Sequence, residues 1–198
     1  IEDEYIEKNP CKFIKVRIPE KTPKFFTKED FDKFIKAVDN EDLKDLYIFA
    51  VNTGLRLGEL RNLTWSNVID SKIVLDNHSH LTKTDKVRVI PLNKIAQTIF
   101  NKRFDTNKVK TKYMFTFRGF KLTEDNATHK LKKYIMKVGI NEKLNFHSLR
   151  HTFASWLVQN GVNIYNVSKL LGHANIKTTE IYAHLRAEDL RESVEMLN

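Results

Sequence analysis

Hydrophobic residues recur at the spacing of amphipathic helices along most of this chain. Thr27 begins the first predicted helix with a sequence that resembles a capping box, and Phe26 and Phe31 are spaced as a hydrophobic staple around it. The predicted helices cover residues 27–38, 42–52, 93–104, 123–138, 163–171 and 187–197, and one more helix ends at Asn160-Gly161. Glycine, which is favoured just past a helix end, follows three of these helices, at Gly54, Gly139 and Gly172.

The stretch 72–92 has a different pattern, in which apolar and polar residues alternate. It predicts a strand at 73–75 and a hairpin whose strands, 81–83 and 87–90, flank a turn at 84–85. Pro91 is expected to end the edge of this sheet. A further short strand or extended segment is expected at 113–117.

Three basic residues lie in the predicted hairpin. Lys86 and Arg88 alternate with valines, so we expect a basic outer face and an apolar face that packs inward. Lys83 lies at the hairpin tip, where it could swing over a ligand. Lysines on edge strands also commonly serve only to prevent aggregation, and this alternative stays open here.

Composition narrows the class of protein. The 198 residues carry a net charge of +9, which favours a polyanionic partner because phosphate contacts release counterions. A membrane surface fits less well, since no long basic amphipathic helix stands apart from the core, and no run of about 18 apolar residues could span a bilayer. Cys11 is the only cysteine, which rules out an internal disulfide and fits a reducing cytoplasm.

Arg56 lies in an unusual setting, Gly54-Leu-Arg-Leu-Gly-Glu-Leu60. The two glycines allow a tight turn and a close approach of the backbone. A guanidinium among apolar neighbours needs an acid or a phosphate as its partner, and Glu59 is the nearest acid. The pattern therefore indicates either a structural ion pair or an arginine that Glu59 orients toward a phosphate.

A second basic group lies on the helix that ends at Asn160. His147, Arg150 and His151 are spaced at i, i+3 and i+4, so they share one helix face. The same spacing suits a solvated face with incidental histidines. It also suits zinc ligands, although Ser148 stands where a zinc protease has glutamate and Arg150 would bring a positive charge to the metal.

Two further residues near the carboxyl end attract attention. His173 follows Gly172 at a predicted chain reversal, outside any apolar stripe. Tyr182 closes a short segment that begins at Asn175. Taken alone, this tyrosine would be an ordinary packed or surface residue, and it gains interest only from the basic residues before it.

Together these residues resemble the tyrosine recombinase (phage integrase) family over about residues 25–186. The resemblance is carried by six residues in the family's order: Arg56 in T-G-L-R-L-G-E-L, Lys83 in a hairpin, His147 and Arg150 in H-S-L-R-H, His173 in L-L-G-H, and Tyr182 in T-T-E-I-Y-A-H. The resemblance implies an α+β, mainly helical catalytic-domain fold with a small antiparallel sheet. It also implies strand exchange between DNA duplexes without a metal or a nucleotide cofactor.

Each residue then has an expected role. Tyr182 would attack the scissile phosphate and form a 3′-phosphotyrosyl bond, with His147 as its general base. Arg56 and Arg150 would clamp the non-bridging oxygens, to which His173 adds a hydrogen bond, and Lys83 would protonate the leaving 5′ oxygen. Glu59 and His151 are expected to hold the arginines and His147 in place. Direct DNA contacts are expected from Lys86, Arg88 and Lys177.

The resemblance also implies an organisation and partners. We expect an interdomain linker at 1–24, the catalytic domain at 25–186 and a C-terminal helix at 187–198 that carries Leu190, Val194 and Leu197. An N-terminal core-binding domain would precede the linker in a longer protein, so this chain alone should bind DNA weakly. Recombinases of the family self-associate on double-stranded DNA sites, as tetramers, and the expected location is the nucleoid in the cytoplasm.

Three other functions remain open from the sequence. A type IB topoisomerase shares the covalent 3′ chemistry but relaxes supercoils, and the linker-like start and the L-L-G-H motif favour a recombinase. A DNA-binding module with relic catalytic groups would not need Tyr182. A zinc hydrolase would rest on His147 and His151 alone.

Overall fold

The computed structural model describes residues 22–76 and 87–186 of the chain. No helix within these ranges is long and apolar enough to cross a membrane. Short 3-10 turns lie at Trp65–Asn67 and Ala183–Leu185. The α-helices are α1 (Lys28–Ala37), α2 (Glu41–Thr53), α3 (Leu57–Asn62), α4 (Lys94–Asn107), α5 (Glu124–Val138), α6 (Phe146–Gln159), α7 (Ile164–Leu171) and α8 (Lys177–Glu180).

Two small antiparallel sheets accompany the helices. The first has the strand order β1–β2–β3, and Ile73 lies opposite Ile90 in its register. The second is a two-stranded hairpin of β4 and β5. The strands are β1 (Val68–Ile69), β2 (Lys72–Leu75), β3 (Arg88–Pro91), β4 (Thr116–Phe117) and β5 (Phe120–Lys121).

Local sequence signals set several helix ends as predicted, whereas α4, which was expected to end at residue 104, continues to Asn107. The Thr27 hydroxyl accepts a hydrogen bond from the Asp30 amide at 3.0 Å, and the rings of Phe26 and Phe31 lie 5.8 Å apart edge to face. The predicted glycine ends of α2, α5 and α7 are confirmed, because Gly54, Gly139 and Gly172 all adopt the left-handed conformation.

Helix α6 joins two apolar regions. Its first half packs into the main core, which we define as the buried side chains of α1, α2, α5, the larger sheet and the segments between them. Thr152 accepts a hydrogen bond from the Phe26 amide there at 2.9 Å. Its second half packs with α7 and the turn after α8 in what we call the C-terminal cluster, Phe153, Ala154, Val158, Val167, Leu171 and Tyr182.

Three sequence predictions about the fold need correction. The predicted outward orientation of Arg88 is wrong: the side chain is only 7% exposed, while the next residue, Val89, is 44% exposed. The residues after Gly54 form more than a tight turn, since helix α3 begins at Leu57 with Arg56 as its N-cap. The expected strand at 113–117 narrows to β4, and its hairpin partner β5 was not predicted.

Several predictions fall outside the described ranges. They concern Lys83, Lys86 and the hairpin turn, the segment before residue 22 with Cys11, and the helix expected after residue 186 with Leu190, Val194 and Leu197.

Candidate active site

Helix α6 presents the predicted basic group from its first two turns. Asn145 caps the helix by accepting a hydrogen bond from the Ser148 amide at 3.2 Å, and Ser148 returns one by accepting from the Asn145 amide at 3.1 Å. His147 and His151 lie on one face with their ring centroids 4.7 Å apart. His147 is exposed, His151 is half-buried, and Arg150 is only 3% exposed.

The Arg150 guanidinium is held by two helix ends. Its Nη1 donates to the Gly54 carbonyl at 2.7 Å and its Nη2 donates to the Leu171 carbonyl at 2.6 Å. These carbonyls lie at the carboxyl ends of α2 and α7, where the helix dipole favours a cation. Burial lowers the pKa of Arg150 to about 9, and the charges of Arg56 and Arg88 add to this shift. Arg150 therefore remains a cation at pH 7, and its other N–H groups are available to an anion.

Glu59 joins two more guanidinium groups. One carboxylate oxygen accepts from Arg56 Nη1 at 3.0 Å, and the other accepts from Arg88 Nη2 at 2.6 Å. Glu59 and Arg88 are both buried, whereas the Arg56 side chain is 45% exposed. The predicted pairing of Arg56 with Glu59 is confirmed, and Arg56 keeps an open side from which a substrate could be bound.

Arg88 connects these two groups. Its Nη1 donates to the Leu171 carbonyl at 2.6 Å, the same oxygen that accepts from Arg150. Three guanidinium groups are thus linked through one carboxylate and one shared carbonyl. Among the described residues, the carboxylate that hydrogen-bonds within this network is that of Glu59, which pairs with Arg56 and Arg88. The three cations therefore leave an excess of positive charge that an anion would neutralise.

Tyr182 lies at the edge of this network, in the C-terminal cluster. Its side chain is 2% exposed, and its hydroxyl is hydrogen-bonded to His151 Nδ1 at 2.5 Å. Burial raises the pKa of the Tyr182 phenol to about 12, against a smaller opposing effect of the Arg150 charge. Among the hydrogen bonds of the described residues, the partner of this hydroxyl is His151 and not His147.

The three histidines of the site share one electrostatic setting. Burial is the main cause that lowers the pKa of His151 and of His173 to about 4, and the neighbouring positive charges act in the same direction. The pKa of His147 is also lowered, because the protein around this partly exposed ring removes some of its water, and the charges of Arg150 and Arg56 add to the shift. All three imidazoles are therefore neutral at pH 7 and able to accept a proton.

The sequence analysis missed one residue of the site, Thr179. Its hydroxyl lies 2.7 Å from His173 Nδ1, and its carbonyl accepts from the Tyr182 amide at 3.0 Å. Thr179 is fully buried and so fixes His173 relative to the turn that carries Tyr182. The one sequence feature that could have indicated Thr179 is its hydroxyl, three residues before Tyr182. The spacing of the residues does not reveal that His173 is its hydrogen-bond partner.

The structure thus gathers seven of the predicted site residues in one place: Arg56, Glu59, His147, Arg150, His151, His173 and Tyr182. Lys177 is exposed in the first turn of α8. Arg88 belongs to the site, but as a buried partner of Glu59 in place of the surface contact that the sequence suggested. Within residues 22–76 and 87–186, no group of three or more His, Cys, Asp or Glu side chains is arranged to hold a metal ion.

Comparisons with known proteins show what this chain is similar to. A family model described as "Phage integrase family" matches residues 24–189. The chain is 34% identical over 183 residues to the tyrosine recombinase XerA of Pyrococcus horikoshii, covering 90% of this chain and 63% of that protein. It is 32% identical over 183 residues to the tyrosine recombinase XerD of Listeria monocytogenes, covering 86% of this chain and 61% of that protein.

Two solved structures share the fold. A crystal structure of XerA recombinase matches with a TM-score of 0.72 and 27% identity, covering 91% of this chain and 67% of that one. The catalytic domain of bacteriophage HP1 integrase matches with a TM-score of 0.65 and 27% identity, covering 86% and 93%. The predicted fold class, α+β and mainly helical with small antiparallel sheets, is confirmed. The chain spans less than two thirds of the length of the curated relatives named above.

Proposed function

This chain belongs to the phage integrase family, and we propose that it forms the catalytic part of a site-specific DNA recombinase or integrase. In this proposal the protein cleaves DNA and exchanges strands through a covalent 3′-phosphotyrosine. The observation that carries it is the group of three linked guanidiniums, with one carboxylate among them, beside a tyrosine that is paired with a neutral histidine. The names of the relatives, which are tyrosine recombinases, support it.

The phosphate would be bound by Arg56 and Arg150. A planar guanidinium matches two phosphate oxygens and keeps its charge, so it can stabilise the charge that builds on a pentacoordinate phosphorus. The exposed side of Arg56 would contact the DNA first, while Arg150 would bind the phosphate from its fixed, buried position. His173, held at Nδ1 by Thr179, would donate a hydrogen bond from its other ring nitrogen.

Tyr182 would supply the nucleophile. Its oxygen forms a bond to phosphorus as the bond from phosphorus to the 5′ oxygen breaks, and Lys83 would give the leaving oxygen its proton. The 5′ hydroxyl of the other duplex then reverses the step, so the bond energy is conserved and no nucleotide is consumed. With a pKa of about 12, ionising the buried phenol at pH 7 costs about 7 kcal/mol. The reaction therefore needs a base and a less buried position for Tyr182.

Two histidines would divide this task. His151 holds the hydroxyl in the arrangement seen here. His147 is exposed and its lowered pKa keeps it neutral, so it is the proposed general base once the tyrosine meets the phosphate. This division predicts that loss of His147 slows cleavage without releasing Tyr182 from its buried place.

The proposed organisation and partners follow the family. Residues 25–186 would be the catalytic domain, with a linker before it and a C-terminal helix after it that could dock on its own or a neighbouring subunit. The proposed substrate is a double-stranded recombination site, on which subunits assemble as a tetramer together with an N-terminal core-binding domain. Lys86 and Lys177 are the proposed further DNA contacts, and the proposed location is the nucleoid in the cytoplasm.

A covalent-trapping assay tests this function. The chain is incubated in EDTA with nicked duplexes tiled across the DNA on either side of its own gene, and protein–DNA adducts are detected on denaturing gels. We expect an adduct that disappears in Tyr182→Phe and persists in Tyr165→Phe, a matched control because Tyr165 is 55% exposed on α7. An adduct that survives Tyr182→Phe would overturn the assignment.

A second readout separates strand exchange from relaxation. The same protein is given a supercoiled plasmid with two copies of the trapped site. A recombinase yields products with exchanged flanks, whereas relaxation without exchange would favour a topoisomerase. Cleavage that requires an added metal ion and forms no adduct would favour a hydrolase.

A further inference from the structure

Arg88 occupies the centre of the guanidinium network. It is 7% exposed, it donates to Glu59 and to the Leu171 carbonyl, and each of these acceptors also holds one of the two arginines proposed to bind phosphate. We propose that Arg88 is a positioning residue, which aligns Arg56 through Glu59 and Arg150 through the Leu171 carbonyl. This inference rests on the proposed function, since it assigns Arg88 a part in the same phosphate chemistry.

The geometry favours arginine at this place. The two acceptors belong to different elements, Glu59 in α3 and Leu171 at the end of α7, and both lie 2.6 Å from their Arg88 nitrogens. A guanidinium can span them because its two terminal nitrogens are held in one rigid plane. A lysine ammonium is a single point of charge on a flexible stem, so it would hold one acceptor well and the other poorly.

Stability alone does not explain a buried arginine here. Burial lowers the pKa of Arg88, which shows the cost of keeping its charge out of water, and Glu59 offsets only part of that effect. Its Nε is buried and has no hydrogen-bond partner among the described atoms. Apolar residues of similar volume often replace buried ion pairs with no loss of stability. An incompletely satisfied cation at this position therefore fits a role in orienting its neighbours.

The neighbouring chain leaves room for this side chain. Gly172 has φ of +66°, and a Cβ built on it would lie 2.5 Å from Arg88 Cδ and 2.9 Å from its Nη1. The glycine of the L-L-G-H motif therefore serves two purposes. It ends α7 in the left-handed conformation. Because it has no side chain, it also leaves room for Arg88 to reach the Leu171 carbonyl.

The test uses the whole chain, with Arg88→Met, Arg88→Lys and a matched control, Arg103→Met. Arg103 is also buried, at 3% exposure, and is ion-paired with Asp42 and Asp45 away from the site. Adduct formation with Tyr182 is timed at saturating nicked duplex, and the duplex affinity is measured separately. A second duplex carries a methylphosphonate at the scissile position, which replaces one charged oxygen with a methyl group.

We expect Arg88→Met to form the adduct roughly 100-fold more slowly, which is the effect typical of removing one hydrogen-bond donor to a transition-state oxyanion. The DNA affinity should change little. Arg88→Lys should lie between Arg88→Met and the unchanged chain. The penalty should shrink on the methylphosphonate duplex, because a defect in aligning guanidiniums matters less when the charged oxygen is gone. Arg103→Met should lower the unfolding midpoint and leave the rate of the folded fraction unchanged.

Folded Arg88→Met with an unchanged rate, or with an equal penalty on both duplexes, would overturn the inference. If Arg88→Met does not fold, Arg88→Lys decides by the same two criteria, since it keeps a charge beside Glu59. If the unchanged chain gives no adduct that depends on Tyr182, the proposed function fails and this inference fails with it. An adduct in the unchanged chain that is indifferent to Arg88 overturns the inference alone.

Discussion

The main core and the C-terminal cluster hold different parts of the proposed chemistry. Arg56 and Glu59 lie at the start of α3 and Arg88 begins β3, and these elements pack on the main core. Tyr182 is one of the six buried residues that the described part of the chain contributes to the C-terminal cluster. Helix α6 carries Arg150 between them. The difference suggests a firm platform for the phosphate and a nucleophile on a small support, which could be displaced without disturbing the platform.

Contacts between the main core and the C-terminal cluster fix the position of one region relative to the other. Arg150 bonds to the Gly54 carbonyl on the side of the main core and to the Leu171 carbonyl on the side of the C-terminal cluster. The Phe153 ring packs so close to Gly54 that a Cβ built there would lie 2.3 Å from it. The platform is thus tied to the cluster through α6 and Arg150 more than through Tyr182 itself.

The largest expected effect comes from removing a ring in the main core. Phe49 is fully buried, with its ring centroid 5.2 Å from that of Phe115. Phe49→Ala should lower the free energy of unfolding by about 3–5 kcal/mol, because it leaves a cavity in a closely packed region. Urea unfolding followed by tryptophan fluorescence measures this. Phe120→Ala is the control, since that ring is 80% exposed and its loss should change stability by less than about 0.5 kcal/mol.

A smaller and more local effect is expected in the C-terminal cluster. Val167 is fully buried on α7, and Val167→Ala removes two carbons, which is worth about 1.5–2 kcal/mol. Hydrogen exchange should become faster in α7 and in the segment leading to Tyr182, while α2 keeps its protection. Equal acceleration of exchange in α2 and α7 would show that the two regions unfold as one unit, which would contradict the proposed difference between them.

Much of the helical framework could be predicted because its signals are local. The Thr27 cap, the Phe26–Phe31 pair and the glycine after α7 depend on residues a few positions apart. The gathering of Arg56, Arg150, His173 and Tyr182 could be anticipated only from the resemblance to a known family. Nothing in the spacing of these residues fixes their distances.

The contacts inside the site could not be predicted, because they join residues that are distant in sequence. Tyr182 and His151 are 31 residues apart, and Arg88 and Glu59 are 29 apart. The error at Arg88 has a simple cause. Strand alternation defines two faces but not which one is buried, and hydrophobicity alone would turn Val89 inward. The cation faces inward in the fold because Glu59 and the Leu171 carbonyl need a donor there.

Acid should loosen the C-terminal cluster before the main core. The pKa of His151 and of His173 is about 4 in the fold and 6.5 ordinarily, so both bind protons more readily after unfolding. Their contribution to stability is therefore complete above pH 6.5 and is lost as the pH falls from 6.5 to 4. The charges of Arg150, Arg56, Arg88 and His147 oppose their protonation in the fold.

Hydrogen exchange at pH 7 and pH 5.5 measures this effect. At pH 5.5 the loss should be smaller than that caused by Val167→Ala, since both imidazoles are only half-buried and solvent screens their charge. The acid-induced acceleration should be confined to α7 and the Tyr182 segment. It should also shrink in His151→Gln, which cannot be protonated, and an unchanged pH dependence in that variant would contradict the assignment.

The last comparison removes one hydroxyl in each region, and the smallest expected effect is that of the Tyr182 hydroxyl. The Tyr47 hydroxyl, in the main core, donates to the Ala127 carbonyl at 3.0 Å, and Tyr47→Phe leaves that buried acceptor unpaired at a cost of about 1–3 kcal/mol. Tyr182→Phe removes the hydrogen-bond partner of His151, but this half-buried imidazole can hydrogen-bond to water in its place. We therefore expect the free energy of unfolding to fall by about 0.5 kcal/mol. Urea unfolding of the two variants measures the difference. Equal losses would mean that the Tyr182 hydroxyl is a structural anchor, and a phenol that stabilises the fold as strongly as Tyr47 could not leave its place for a phosphate at low cost.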